Sequence, residues 1–274
     1  DISTKQDLLR FQATMSADLT ELIATSSATP KLRQFAVPTT LSTGEWTPGG
    51  TPVDDETRRK VRLFAARGAP QVIVYDPEVL YHTPISLLLS TGVRGLDHAI
   101  NTLCAKSPHP FTSLLAEKAI GLFIENLPRV KRDSHDCNAL ASCQLATWFT
   151  GMGQMTMAPM HGFSHFMVHI MAPFASVRHS DAACVLMLAN ARWIEGLGGA
   201  YHDGIKRLLD RQGEKFSAIL EELLRELELP TKLGDLGITN EQVEAMIPLA
   251  LAHPSLTRFN IRPIKTTDDL RAIL

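Results

Sequence analysis

Pro84-Ile85-Ser86-Leu87-Leu88-Leu89-Ser90-Thr91-Gly92-Val93-Arg94-Gly95-Leu96-Asp97-His98-Ala99-Ile100-Asn101-Thr102-Leu103-Cys104-Ala105 is an apolar run too long for one strand and free of internal proline, so it reads as a helix. Downstream the same pattern recurs over 111–126, 135–152, 160–172, 180–195 and 200–228, with short breaks containing glycine or proline. Ile205, Leu208, Leu209, Phe216, Ile219, Leu220, Leu223, Leu224 and Leu227 keep one apolar stripe, while Glu221, Glu222, Arg225 and Glu226 form a solvated face. Thr239-Asn240-Glu241-Gln242 has capping-box spacing and predicts a further helix to about residue 252.

Upstream the period differs. Residues 5–26 are weakly helical, Gln34 to Pro38 is short and extended, and Thr39 to Gly50 reads as a loop. Val72-Ile73-Val74-Tyr75, stopped by Asp76-Pro77, has the pattern of a buried strand. The expected organisation is a short strand-containing segment over 1–82 followed by an all-helical domain over 83–274. The first residues, Asp1-Ile2-Ser3, are neither a signal peptide nor a starting methionine, from which we expect a chain that begins partway through a longer product.

Composition narrows the function classes. The 274 residues are 45% hydrophobic and 20% charged with a formal net charge of −2, which leaves no basic footprint for nucleic acid or a membrane surface. No stretch has the uncharged length of a membrane helix. Cys104, Cys137, Cys143 and Cys184 include no C-x-x-C pair, so free thiols in a reducing, cytoplasmic setting are expected.

The chemistry-bearing feature is histidine. His161, His165 and His169 recur every four residues, and His179 follows ten residues later. On a helix the first three share a face, as two nitrogens converging on a transition metal require. Imidazole also titrates near neutral pH and suits proton relay. The plain alternative is a set of hydrogen-bonded, partly exposed histidines. In the opening helix, Arg94 lies one turn before His98 with Asp97 adjacent; buried charges need partners, so the trio is either functional or a structural Arg–Asp pair.

These residues carry a resemblance to the iron-containing alcohol dehydrogenases, especially the maleylacetate reductase branch. Gly92 to Asn101 resembles the helix in which an aspartate and a histidine four residues later bind the metal. His165-x-x-x-His169 followed by His179 is similar to the second histidine segment, whose first and last members are ligands and whose middle one lies beside the reacting carbonyl. Val37 to Glu45 resembles the cofactor-side strand and turn, Tyr75-Asp76-Pro77 with His82-Thr83-Pro84 the interdomain crossing, and Asn260-Ile261-Arg262-Pro263 a C-terminal motif.

The resemblance implies a mainly α fold: the helical-bundle catalytic domain of the dehydroquinate synthase-like, iron-alcohol-dehydrogenase type, preceded by a short α/β remnant of the dinucleotide-binding domain. It implies His169, His165 and His98 as catalytic groups, and Arg94 and His161 as substrate contacts. Thr39, Thr40, Ser42 and Glu45 would face NAD(P). His98, His165 and His179 would be the possible ligands of iron or zinc. The implied activity is NAD(P)H-dependent reduction of a small oxo-acid or ketone, in a homodimer.

Two departures stand beside the match. Arg94 takes the place of the ligand aspartate, and a charged guanidinium repels a metal rather than binding it; maleylacetate reductase-like proteins also depart here, and an arginine suits a substrate carboxylate. The Gly-Gly-Gly-Ser turn that holds the pyrophosphate has no counterpart, since Gly49-Gly50 and Gly198-Gly199 lie in breaks with no strand before them. NAD(P) would then need a dinucleotide-binding half from elsewhere. The competing readings are a cofactor-independent acid–base enzyme reusing the histidines, such as a lyase, isomerase or cyclase, and a pseudoenzyme.

Overall fold

The computed structural model describes residues 33–50, 63–64, 68–106, 109–157, 162–195, 197, 207, 215–253 and 260–274. The expected helix over 5–26, His161, Gly198-Gly199 and the 205–209 part of the apolar stripe lie outside the described residues. The chain divides into two compact units, Asp1–Pro38 with Gly44–Tyr75, and Thr39–Thr43 with Asp76–Leu274.

In the first unit, β1 (Phe35–Ala36) pairs in parallel with β4 (Val72–Ile73), and β2 (Gly49–Gly50) pairs antiparallel with β3 (Leu63–Phe64). Two expectations are corrected here. Gly49-Gly50 is itself a strand rather than a break in a loop. Val72 and Val74 are 42% and 47% exposed rather than buried; among the described residues β4 pairs only with β1.

The second unit is mainly α. Its helices are α1 (Ile85–Leu103), α2 (Pro110–Arg132), α3 (Cys137–Met157), α4 (Phe163–Phe174), α5 (His179–Ile194), α6 (Phe216–Glu226), α7 (Asn240–Leu251) and α8 (Thr267–Ile273). A 3-10 turn over Pro77–His82 precedes α1, opened by Asp76 accepting from the Glu78 amide. The capping box read at Thr239 is present: Thr239 Oγ1 accepts from Gln242 N and Gln242 Oε1 accepts from Thr239 N. None of the helices of the described residues is long and apolar enough to cross a membrane.

Helix α5 joins two cores. Cys184, Met187, Leu188, Ala191 and Ile194 face a cluster with α1, α2, α3 and α6, while Ala182, Ala183 and Leu186 face a second cluster with α4, α7 and α8. A helix buried on both sides explains why the 179–194 segment reads as apolar all round. Cys104, Cys143 and Cys184 are buried and Cys137 is exposed, all four as free thiols. Burial pushes the Cys143 thiol up to about 12 and raises Cys104 and Cys184 further, so these three behave as small hydrophobes rather than nucleophiles.

The loop Thr39–Thr43 is sewn onto the helices. Thr83 Oγ1 donates to Thr39 O at 2.6 Å, Leu41 N donates to Thr91 Oγ1 at 3.3 Å, and Thr147 Oγ1 donates to Leu41 O at 3.4 Å. Leu41 itself is fully buried. This close approach needs a glycine on α1: a Cβ on Gly95 would lie 2.6 Å from Leu41 O and 2.8 Å from Phe123 Cζ. Gly95→Ala is therefore expected to destabilise the chain by about 1–3 kcal/mol through overpacking. A lowered urea midpoint at unchanged slope is the result that checks it; an unaltered midpoint would mean that the loop shifts freely.

Candidate active site

Helix α1 supplies Arg94, Asp97, His98 and Asn101, helix α4 supplies Ser164, His165 and His169, and α5 begins with His179. Spacing of four residues puts His165 and His169 on one face of α4, and their rings meet edge to face with centroids 5.2 Å apart. His98 lies 5.2 Å from His165 on one side, and His179 lies 4.9 Å from His169 on the other. Four rings from three helices thus touch in succession, His98–His165–His169–His179. His98 is buried and the other three are half-buried.

Hydrogen bonds orient one end of this succession. Thr43 Oγ1 lies 2.7 Å from His98 Nδ1 and 2.6 Å from Ser42 O, so its one proton serves one of them at a time. Thr43 has φ 66°, a left-handed conformation that a β-branched residue rarely adopts. Such strain persists where the surroundings impose it, and here the anchored loop and His98 do so. At the next ring, His165 Nδ1 is 3.3 Å from His98 Nε2 and 3.0 Å from Arg94 Nη2.

Arg94 and Asp97 form a buried ion pair, 4% and 0% exposed, with Nη1 to Oδ2 at 2.7 Å. Asp97 Oδ1 accepts from Ser164 Oγ at 2.5 Å and from Asn101 Nδ2 at 2.9 Å, tying α1 to α4. Burial lowers the Arg94 guanidinium from its ordinary value, against the attraction of Asp97. Burial likewise raises the Asp97 carboxyl, against Arg94, Ser164 and Asn101. Arginine keeps its charge in proteins, and that charge beside Asp97 favours the carboxylate form of its partner.

The start of α4 is clamped by two asparagines that the sequence did not single out as site residues. Gly162 N donates to Asn101 Oδ1 at 3.0 Å and Phe163 N donates to Asn260 Oδ1 at 3.2 Å, which satisfies two helix-end amides. A Cβ on Gly162 would fall 2.8 Å from Asn101 Oδ1. Asn260 is fixed in turn by Nδ2 donating to Arg262 O at 2.7 Å, and Arg262 stacks on Trp193 with its Cζ 3.6 Å from the ring centroid. The motif Asn260-Ile261-Arg262-Pro263 thereby holds the helix that carries His165 and His169. Thr43, Ser164 and Asn101 also escaped notice, since each acts through contacts more than fifty residues away in sequence.

The residues expected to face a cofactor are placed as follows. Thr40 Oγ1 and Ser42 Oγ are 3.4 Å apart on the anchored loop, and Thr39 contributes its carbonyl to Thr83. Glu45, in the other unit, accepts from Tyr75 Oη at 2.7 Å, and burial raises its carboxyl above the ordinary range.

A divalent metal fits this donor set poorly. Among the described residues no group of three or more histidine, cysteine or acidic side chains gathers as metal ligands. The guanidinium of Arg94 stands instead against His165 Nδ1.

Similarity to known proteins accords with this architecture. The chain is 27% identical over 245 residues to the maleylacetate reductase of Rhizobium sp. (strain MTP-10005), covering 88% of this chain and 66% of that protein. It is 27% identical over 252 residues to the 1,3-propanediol dehydrogenase of Klebsiella pneumoniae, covering 87% of this chain and 64% of that one. It therefore spans less than two thirds of either relative. Among solved structures, the maleylacetate reductase of Agrobacterium tumefaciens shares the fold with a TM-score of 0.76 at 24% identity, over 88% of this chain and 66% of that one. The sulfoacetaldehyde reductase of Bifidobacterium kashiwanohense, solved in complex with NAD+, gives 0.78 at 23% identity, over 89% and 64%. Residues 88–274, which include His98, His165, His169 and His179, match the model of the Fe-containing alcohol dehydrogenase family, C-terminal, and the chain belongs to that family.

Proposed function

We propose that this chain is the catalytic half of an NAD(P)H-dependent reductase acting on a small oxo-acid or ketone, of the maleylacetate reductase kind. The observation that carries this reading is the succession of four imidazoles from α1, α4 and α5 in a chain of this family. Residues 83–274 would form the catalytic domain, and 1–82 the remainder of a dinucleotide-binding domain. None of the described helices opens on a Gly-Gly run of the kind that cradles a pyrophosphate, so Thr39, Thr40, Ser42 and Glu45 would line only part of the cofactor's path. Reduced nicotinamide, when bound, supplies the hydride to the carbonyl carbon.

The protein's own part is to hold the carbonyl oxygen and deliver one proton. His165, kept in place by Arg94 and neighboured by His98, is the donor that polarises the oxygen, and His169 gives its proton to the alkoxide as the C–H bond forms. His179 stands behind His169 as the next ring in a proton relay. Arg94 spends Nη1 on Asp97 and Nη2 on His165, so a substrate carboxylate would meet only its remaining N–H groups. His161, in the same pattern, would contact substrate. A homodimer is expected for the whole enzyme.

The deciding assay follows nucleotide oxidation with NADH and with NADPH across small oxo-acids and ketones, using the chain alone and the chain joined to a dinucleotide-binding half. Turnover of a maleylacetate-like acid by the joined protein is the expected result. Silence with both nucleotides across the whole panel would overturn the reading.

A further inference from the structure

A guanidinium donates and never accepts, so the 3.0 Å contact from Arg94 Nη2 makes His165 Nδ1 an acceptor. In the neutral ring the proton then sits on Nε2. His98 Nε2 approaches the same Nδ1 at 3.3 Å. Two imidazole nitrogens at that spacing are also compatible with a tetrahedral zinc, whose bonds of about 2.0–2.1 Å place two ligands about 3.3–3.4 Å apart. The third group decides between these uses. Arg94 cannot shed its charge, is 4% exposed, and is anchored through Asp97, which Ser164 and Asn101 hold in turn. A metal taking the Nδ1 lone pair would have to displace that donor and sit against a fixed positive charge.

We propose that Arg94 is the built-in cation of this site: it stands in place of a divalent metal and fixes His165 as the Nε2–H tautomer. Arg94 is thus a positioning residue, acting through His165. A carbonyl would be activated here by ring N–H donors instead of a Lewis acid, a consequence that rests on the reductase reading, whereas the cation and the tautomer stand without it. The substrates that suit such a site are carbonyls already made electrophilic by a neighbouring electron-withdrawing group, since a neutral N–H polarises less than a metal ion.

Two measurements on the 274-residue chain test this, and neither reads turnover. Long-range proton–nitrogen spectra of the histidine-labelled chain, with the His165 signals assigned by their loss in His165→Gln, should show a protonated Nε2 and a bare Nδ1. In Arg94→Met, which keeps the bulk and removes the donor, that ring should no longer hold a single tautomer. Zinc titration of the native chain should give no equivalent that depends on His165. Arg94→Asp/Asp97→Asn, which replaces the cation by a carboxylate, should gain about one equivalent, lost again when His165→Gln is added. An Nδ1–H tautomer in the native chain, or one equivalent of zinc in the native chain abolished by His165→Gln, would overturn the proposal. Should the double variant fail to fold, these native-chain results decide it alone. A chain that reduces no carbonyl but shows the fixed tautomer supports the proposal while removing the reductase reading.

Discussion

Asp97→Ala is expected to destabilise the chain by about 3–5 kcal/mol, the cost of leaving a buried charge without its partner. The variant strands the Arg94 guanidinium at 4% exposure and takes an acceptor from Ser164 Oγ and from Asn101 Nδ2. Asn101 keeps a bond to the Asp97 backbone carbonyl, at 2.7 Å, so the loss falls mainly on the charge and on the α1–α4 tie. Urea unfolding should show the drop as an earlier midpoint. The control is Arg94→Met/Asp97→Leu, because replacing a buried ion pair by apolar groups of similar volume is often neutral or stabilising. The double variant should recover most of what the single one loses. If it is as unstable as Asp97→Ala, then the hydrogen bonds from Ser164 and Asn101, and not the ion pair, hold α1 against α4.

Much of this arrangement was legible before the structure, and the parts that were share a physical cause. Helical periodicity located α1 to α5, and the Thr239 and Gln242 pair announced the start of α7 because a capping box is a local device. The matching Thr266 and Asp269 box at α8 went unread, since seven residues carry too little apolar period to mark a helix. Helix α2 runs to Arg132, past the expected end near 126 and through Pro128, because Leu127, Pro128 and Val130 are buried against neighbouring helices; tertiary packing outweighed the local breaker. The strand at Val72 was recognisable as a strand, but its burial depended on partners that local pattern does not encode.

The same division holds at the site. His165 and His169 could be paired from spacing alone, and the ion pair of Arg94 with Asp97 was one of two readings open for that trio. What spacing could not supply was the direction of each ring nitrogen. Thr43 reaches His98 across 55 residues of sequence, and Asn260 reaches the start of α4 across 97. Nothing in either segment's own pattern points to a histidine. The one sequence signal available for Thr43 was its place beside Gly44 in a turn-forming loop, where a left-handed φ is common for glycine and rare for threonine.

His169→Ala is expected to lower kcat by about 10²–10⁴-fold in the joined enzyme, the usual contribution of a positioned general acid. That corresponds to about 3–6 kcal/mol of transition-state stabilisation, at about 1.4 kcal/mol for each tenfold. KM for the nucleotide should stay nearly unchanged, since a proton donor to the alkoxide acts after both substrates are bound. His169 is favoured over its neighbours by position: His165 is committed through Nδ1 to Arg94 and His98, while His169 stands between His165 and the ring of His179. His179→Ala should therefore cost less than His169→Ala, because it interrupts the relay behind the donor and water can refill that place. Exposed His135, whose ring contacts that of Tyr81, supplies the comparison, and its replacement by alanine should leave kcat within about twofold. Added imidazole should restore part of the His169→Ala rate, because imidazolium diffusing into the vacated space can donate the proton but lacks the orientation of the native ring. If His169→Ala instead retains kcat while His165→Ala abolishes it, the proton comes from the ring that Arg94 holds, and the histidines run their relay in the opposite direction.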